Sequence, residues 1–389
     1  MHQTMVRGTL ITLACSGALV ALGINAPAES GDDSPRGVVT NALRALHDRD
    51  LNRDAGDADV AGYYQGLLAG RPRTLLGRAT DGANYHFRRD FRYYEARPNV
   101  DWPEHDGSGR HITNSFGISD REYSVERVPR SHRIAVVGDS IARGQGAPFG
   151  QSFEALVEAR LNAERTRDDV AIYELINFST TGYRLTQMLD LALETVPSFK
   201  PDVYLLCLTR LSVGNAWGDH LAQLVYDRMD LKYPYLRELA VSANLDARDS
   251  IGTMRAKLEP FRLQAIRWAL QEIGDRARRD GAVLVVAFVP TVNSPKSQER
   301  RFGAVRPVVA ELGLPLIDVL DVFGAGDLNT LRVAPGNDHP NTEGHRMIAR
   351  VLYDRMLADP KVAAIMLGTA VTGLAVDGPT TASPWSRVP

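Results

Sequence analysis

The sequence predicts an α/β protein, a three-layer doubly wound sandwich around a central parallel sheet, with a helical appendage before it. Three observations carry that expectation. From residue 131 onward, apolar segments alternate with amphipathic ones, as βαβ units do. The candidate strands, such as "VYLLCL", are apolar throughout, the pattern of strands covered on both faces. The 389 residues, 44% hydrophobic and 24% charged, are enough for one large core plus an appendage.

The chain opens with "MHQTMVRGTLITLACSGALVALGINAPAES": one Arg, an apolar run from Gly8 to about Ala26, then Ala26-Pro27-Ala28. That is the pattern of a signal peptide with a small-x-small cleavage site. An uncleaved anchor is the rival, because the run approaches the ~20 residues of a bilayer span. Residues 1–28 are therefore expected to export the protein, to the periplasm or the outside. Residues 29–130 are polar and Arg-rich, with helical stretches at "VVTNALRALHDR" and "DVAGYYQGLLAG". They are expected to form a helical N-terminal appendage and lead-in.

The main domain is expected over 131–358. Its strands are "RIAVVGD", "YELINFS", "DVYLLCL", "AVLVVAFVP" and "LPLIDVL". Helices are expected around 153–162, 185–196, 260–279, 298–312 and 343–357. Residues 210–259 form an insertion too long for an ordinary βα loop, a candidate lid or specificity element. The tail, 359–389, holds an apolar patch too short and Gly-broken for a span.

Composition excludes some classes. Lys+Arg is 45 against Asp+Glu 47, spread along the chain, so no nucleic-acid footprint stands out, and a membrane enters only through an N-terminal anchor. Of the 2 Cys, Cys15 lies in the leader and Cys207 inside an apolar strand, where a buried hydrophobe is expected. No zinc cluster or other metal signature is visible, and no cofactor is suggested. A small-molecule, glycan or lipid partner is the default.

Two motifs carry chemistry. "RIAVVGDSIARGQG" runs a strand into Gly138-Asp139-Ser140, placing Ser140 at a strand's carboxyl end, where ligands of open α/β sheets bind. The residues after it can begin a helix, so an exposed Ser140 hydroxyl and an amide at a helix N-terminus are expected. The spacing of glycines fits neither a dinucleotide fingerprint nor a P-loop. "PGNDHPNTEGH", 335–345, puts His339 in a loop leading into the last helix, also beyond a strand. A nucleophilic Ser needs a base and a group that orients the base. Ser140 and His339 can meet at one sheet edge, whereas His345 is read as a packed residue.

These two motifs together resemble the SGNH, or GDSL, hydrolases, over about residues 112–358, and the resemblance implies a flavodoxin-like layered fold. The lead-in "HITNSFGISDREYSVERVPRSHRIAVVGDS" resembles a subset carrying a "TN-x-x-G-x-R" stretch before the nucleophile. The likeness implies Ser140 as nucleophile, His339 as base, and the amides of Ser140 and Gly182, in "FSTTGYR", as an oxyanion hole. It also exposes two departures. The family's G-x-N-D block falls on "CLTRLSVGN", with Thr209 and Leu211 where Gly and Asn belong; Asn215, four residues late, is the candidate for the missing donor. The acid three or two residues before the His falls on Gly336 and Asn337, and the carboxylate present is Asp338. Either a reshaped turn brings Asp338 to the imidazole, the reading slightly preferred, or Asn337 orients it, or a backbone carbonyl does.

The resemblance implies an exported serine esterase that cleaves O-acyl esters of a glycan or lipid through an acyl-serine. A glycan O-acyltransferase using the same Ser/His pair is one rival. A degenerate, non-catalytic carbohydrate-binding domain is the other.

Overall fold

The computed structural model describes residues 84–104, 109–165, 167–324 and 327–369. The leader, the two stretches read as helical at 38–49 and 59–70, and the end of the tail lie outside the described residues. Within the described part of the appendage the chain builds hairpins rather than helices. Strand β1 (Tyr85–Phe87) pairs with β2 (Tyr94–Ala96), and β3 (Asp101–Pro103) with β4 (Arg110–Ile112), both antiparallel. Tyr, Trp and Ile at these positions suit pleated, half-buried surfaces.

Five parallel strands form the main sheet: β5 (Ser131–Val137), β6 (Ile172–Asn177), β7 (Val203–Leu208), β8 (Val283–Phe288) and β9 (Leu316–Asp318). Their order is β6-β5-β7-β8-β9. Counted from β5 this is the 2-1-3-4-5 order of flavodoxin-like sheets, whose switch point lies beside the first strand, here at the end of β5. β5 is buried along its whole length, its polar start at Ser131–Arg133 as well as its apolar run Ile134–Val137. Ala135 and Val137 pack into one core and Ile134 and Val136 into the other, on opposite faces of the sheet.

Helices α1 (Phe153–Ala163) and α2 (Leu185–Glu194) follow β5 and β6. Beyond β7 the expected insertion is helical: α3 (Arg210–Val213), α4 (Asp219–Tyr226), α5 (Pro234–Ser242) and α6 (Ile251–Leu258). It has its own apolar cluster of Trp217, Leu221, Leu236 and Met254, into which Phe91 of the appendage inserts. His220 joins three regions, bonding Thr186 Oγ1 on α2 at 2.8 Å and the Phe91 carbonyl at 2.7 Å. The segment is thus a packed helical unit.

Helix α7 (Arg262–Arg279) precedes β8. The single helix expected at 298–312 is two, α8 (Pro295–Phe302) and α9 (Val305–Glu311), parted at Gly303. A hairpin of β10 (Arg332–Ala334) and β11 (Asn337–Pro340) leads into α10 (Thr342–Ala358), and α11 (Pro360–Met366) closes the described chain. Val362, Ile365 and Met366 of the apolar tail pack into the α1–α10 core. Among the described residues no helix is long and apolar enough to cross a membrane.

Beneath the sheet, Arg133 fixes the lead-in to β5. Its side chain is fully buried and donates to Glu174 Oε2 at 2.7 Å and to the carbonyls of Ser124, Val125, Glu126 and Phe199. The charge is paired and its fork of donors is satisfied, which is what lets it stay inside.

Candidate active site

β5 ends at Val137, and Gly138-Asp139-Ser140 turns away from it. Gly138 is required for close packing: a Cβ there would lie 2.5 Å from Ala142 Cβ and 3.2 Å from Cys207 Cβ. No helix starts at Ser140; a run of turns holds 140–147, and α1 begins at Phe153. The chain folds back instead, with the Arg143 amide on the Asp139 carbonyl at 2.8 Å and the Gln145 amide on the Ser140 carbonyl at 3.0 Å. The glycines of "GQG" supply this turn, Gly144 with φ +91° and Gly146 with φ +107°. Nor is Ser140 exposed. It is buried, because the β10–β11 hairpin lies over it.

That hairpin brings His339 in. Its Nε2 is 2.8 Å from Ser140 Oγ, although 199 residues separate them. The loop expected around His339 is a strand, turned at Gly336 with φ +75°. On a strand, residues two apart share a face and adjacent residues oppose. Asn337 therefore lies beside His339, its Oδ1 2.7 Å from Nδ1 and 3.1 Å from the His339 amide. The amide bond fixes that atom as the acceptor, so Nδ1 carries the proton and Nε2 presents its lone pair to Ser140.

Asp338 is on the other face, so the preferred reading of it as the ring's partner does not match the geometry. Its oxygens are taken by Arg210, Nε at 2.8 Å and Nη2 at 3.2 Å, and by Asn293 Nδ2 at 3.0 Å. Burial alone would raise its pKa; the Arg210 charge, with smaller help from His339 and hydrogen bonds, overrides that and holds it at about 2. Its carbonyl also accepts from the Val292 amide at 2.8 Å, so the residue pins the hairpin to the ends of β7 and β8. Arg210 and Asn293 were not singled out from the sequence. An Arg directly after "VYLLCLT" was the available signal, since that strand end must open on the same edge as Ser140.

The third block is rebuilt in the same way. Thr209 caps α3, accepting from the Leu211 amide at 3.2 Å, and donates its hydroxyl to the buried Asp139 carboxylate. Burial pushes the Asp139 carboxyl up despite that bond. Asn215 follows the C-cap of α3 and is exposed, so the bulge that would turn it inward has not formed. Gly182 lies beyond β6 with φ +78°, where a Cβ would meet Tyr94 Oη at 2.9 Å. Its loop is tied to the nucleophile turn by the Thr180 amide on the Gly138 carbonyl at 3.2 Å.

His345 is a packed residue. It is fully buried on α10, accepts from the Phe153 amide at 3.3 Å and bonds the Gln145 carbonyl at 3.1 Å. Burial lowers its pKa to about 4, so it stays neutral. Cys207 is buried and free, with burial raising its thiol pKa. Among the described residues no His, Cys, Asp and Glu group could hold a metal ion.

Residues 136–347 match the model of the GDSL-like Lipase/Acylhydrolase family. The chain belongs to that family and is a carboxylic ester hydrolase. No curated protein matches the chain. Among solved structures it is similar to LAE5, an alpha/beta hydrolase enzyme from the metagenome of Lake Arreo, Spain, at 18% identity, covering 58% of this chain and 94% of that one, with a TM-score of 0.39. It is similar to TesA at 17% identity, covering 58% and 98%, with a TM-score of 0.38. It is also similar to Axe2, an acetylxylan esterase from Geobacillus stearothermophilus, at 14% identity, covering 59% and 96%, with a TM-score of 0.40.

Proposed function

We propose that this member of the GDSL-like lipase/acylhydrolase family is an exported serine esterase acting on O-acyl esters of a glycan or lipid, with Ser140 as nucleophile, His339 as base and Asn337 orienting the base. The 2.8 Å approach of Ser140 Oγ to His339 Nε2, with Nδ1 on Asn337, carries the reading. Ser140 attacks the ester carbonyl as its proton passes to Nε2. The amides of Ser140 and Gly182 take the charge that develops on the carbonyl oxygen. His339 returns the proton to the leaving alcohol, and water, activated by the same ring, frees the acid from the acyl-serine.

Asn337 holds the ring but offers the imidazolium only a dipole. The neighbouring carboxylate of Asp338 is bonded to Arg210 and Asn293, so it acts on the ring only by its charge and gives it no hydrogen bond. In a serine triad, an amide in the acid's place is associated with losses of about 10⁴ in turnover. A slow esterase is expected, one whose hydrolysis is limited by imidazolium formation. A panel of p-nitrophenyl esters of rising acyl length, run with Ser140→Ala as control, tests this together with fluorophosphonate labelling. Labelling that persists in Ser140→Ala would put the nucleophile elsewhere. Acyl release that requires a glycan acceptor would make the enzyme a transferase.

A further inference from the structure

The loop that carries Gly182 is held by side chains the chemistry above does not use. Gly182 shares a peptide with Thr181, and the Thr181 carbonyl accepts the hydroxyl of Tyr94 at 2.6 Å. The next carbonyl, that of Gly182, accepts Arg184 Nη1 at 2.7 Å. A trans peptide is planar, with its C=O and N–H pointing in opposite directions. A donor fixed on the Thr181 oxygen therefore also fixes where the Gly182 N–H points. The same bond draws electron density toward that oxygen, which makes the N–H a stronger donor. Among the described residues the Gly182 amide donates to no protein group.

Tyr94 comes from β2, in the lead-in outside the residues 136–347 that match the family. Its side chain is buried, and its ring packs edge-on against Tyr85 and Tyr183, with centroids 5.7 and 5.2 Å away. Burial pushes its pKa well above the usual tyrosine value, so the hydroxyl keeps its proton and can donate. The strand itself is anchored to α2: Arg92 pairs with Asp190 at 3.1 Å, and Gln187 Nε2 donates to the Arg92 carbonyl at 2.9 Å. Gly182 is shaped for the contact. Its φ is +78°, and a Cβ on it would stand 2.9 Å from Tyr94 Oη.

We propose that Tyr94 is a positioning residue for ester hydrolysis: its hydroxyl, delivered by the β1–β2 hairpin, orients and polarises the Thr181–Gly182 peptide so that the Gly182 amide meets the oxyanion of the tetrahedral intermediate. This role rests on the reading of Ser140 as nucleophile and Gly182 as oxyanion donor, and it makes the lead-in a working part of the site.

The test pairs Tyr94→Phe with Tyr183→Phe in the full chain. Each removes one buried hydroxyl and keeps its ring, but the Tyr183 hydroxyl donates to the Tyr94 carbonyl at 2.7 Å, away from the Thr181–Gly182 peptide. The oxyanion develops only as the carbonyl is attacked, so a poorly aimed donor costs kcat and spares KM. On p-nitrophenyl acetate, Tyr94→Phe should lower kcat by roughly tenfold, less than outright loss of a donor, with KM within about twofold. Tyr183→Phe should lower Tm by as much and leave kcat within about twofold. A kcat that Tyr94→Phe leaves unchanged, a loss that lies in KM, or equal kcat losses in the two variants overturns the role. The Gly182 amide resonance, followed in protein labelled with ¹⁵N-glycine, reads the peptide without any turnover. It should move upfield in Tyr94→Phe, and by far less in Tyr183→Phe. If the unaltered protein cleaves no ester, the esterase reading fails, while a moved resonance still places Tyr94 in control of the peptide. If esters are cleaved and the resonance stays put, the Tyr94 role fails alone. Should Tyr94→Phe not fold, 3-fluorotyrosine at position 94 keeps the hydroxyl as a stronger donor and should move the resonance downfield; an unmoved resonance overturns the role.

Discussion

The nucleophile turn and the hairpin that carries His339 stand 2.8 Å apart but are held by different means. Gly138-Asp139-Ser140 leaves β5, which is hydrogen-bonded to β6 and β7 on either side, and Asp139 is further clamped by Thr209 and the Ile141 amide. The position of Ser140 follows from the sheet. His339 rides on two strands paired only with each other, with a register shift between Arg332 and Ala334. That hairpin is held from outside by Asp338, whose side chain reaches Arg210 and Asn293 and whose carbonyl takes the Val292 amide, and by Arg332 on the Val292 carbonyl. Where a sheet supplies the frame, a motif's residues keep their expected roles. Where a short hairpin supplies it, the pleat decides which neighbour faces which partner.

Breaking either half of the pair should have the largest effect. Ser140→Ala should remove ester turnover to background, a loss on the order of 10⁶ in a fully equipped triad, and His339→Ala should come close to it. Both are checked by single-turnover kinetics on proteins whose circular dichroism is unchanged.

Asn337→Asp should sharpen the comparison most. It places a carboxylate on the ring's face, and turnover should rise, by roughly tenfold or more if imidazolium formation limits the rate. Asp338→Asn acts on the opposite face and should cost stability, with turnover changed by far less than when Ser140 or His339 is removed. If instead Asp338→Asn lowers turnover by orders of magnitude in protein that still melts normally, the face assignment fails.

Arg210→Met should destabilise by about 3 kcal/mol, because it leaves the largely buried Asp338 charge unpaired. The loss, read by urea unfolding, should shrink when Asp338→Asn is added, as expected of partners in one bond. His345→Ala should cost a similar amount of stability while leaving fluorophosphonate labelling intact, since His345 supports the turn at Gln145 and the start of α1.

The smallest effect is a pH dependence. Asp338 falls from its ordinary value of 3.8 to about 2 on folding, so it contributes stability that is present above 3.8 and lost as the pH falls through about 2. That contribution is on the order of 2 kcal/mol. His345, depressed from 6.5 to about 4, adds a loss in the same direction at higher pH, because the unfolded chain takes up a proton that the folded one refuses. In Arg210→Met the acid limb due to Asp338 should move upward; a limb that stays in place would remove Arg210 as its cause.

Much of this protein is determined by sequence alone. The uniformly apolar strands require a sheet covered on both faces, and the lengths between them require crossover helices, so the parallel sheet, its two cores and a Ser140 at a strand's carboxyl end all follow. That His339 can meet it there was readable, since its motif follows the last strand of the sheet, but the β10–β11 hairpin is what brings it to 2.8 Å. The hairpins at 85–112 were not legible, because strands of three residues carry too little periodicity to read. The third block was readable only as a departure: Thr209, Arg210 and Asn215 are ordinary residues until β7 places the first two against Asp139 and Asp338 and leaves the third in solvent. The partner of His339 was the last thing decided. In "GNDH" the carboxylate adjacent to the His has the stronger chemistry and the amide two residues away the weaker, and a loop would allow either. Once β10 pairs with β11, the alternation of a strand puts Asn337 on the ring and turns Asp338 to Arg210, because adjacent side chains on a pleated strand cannot serve the same face.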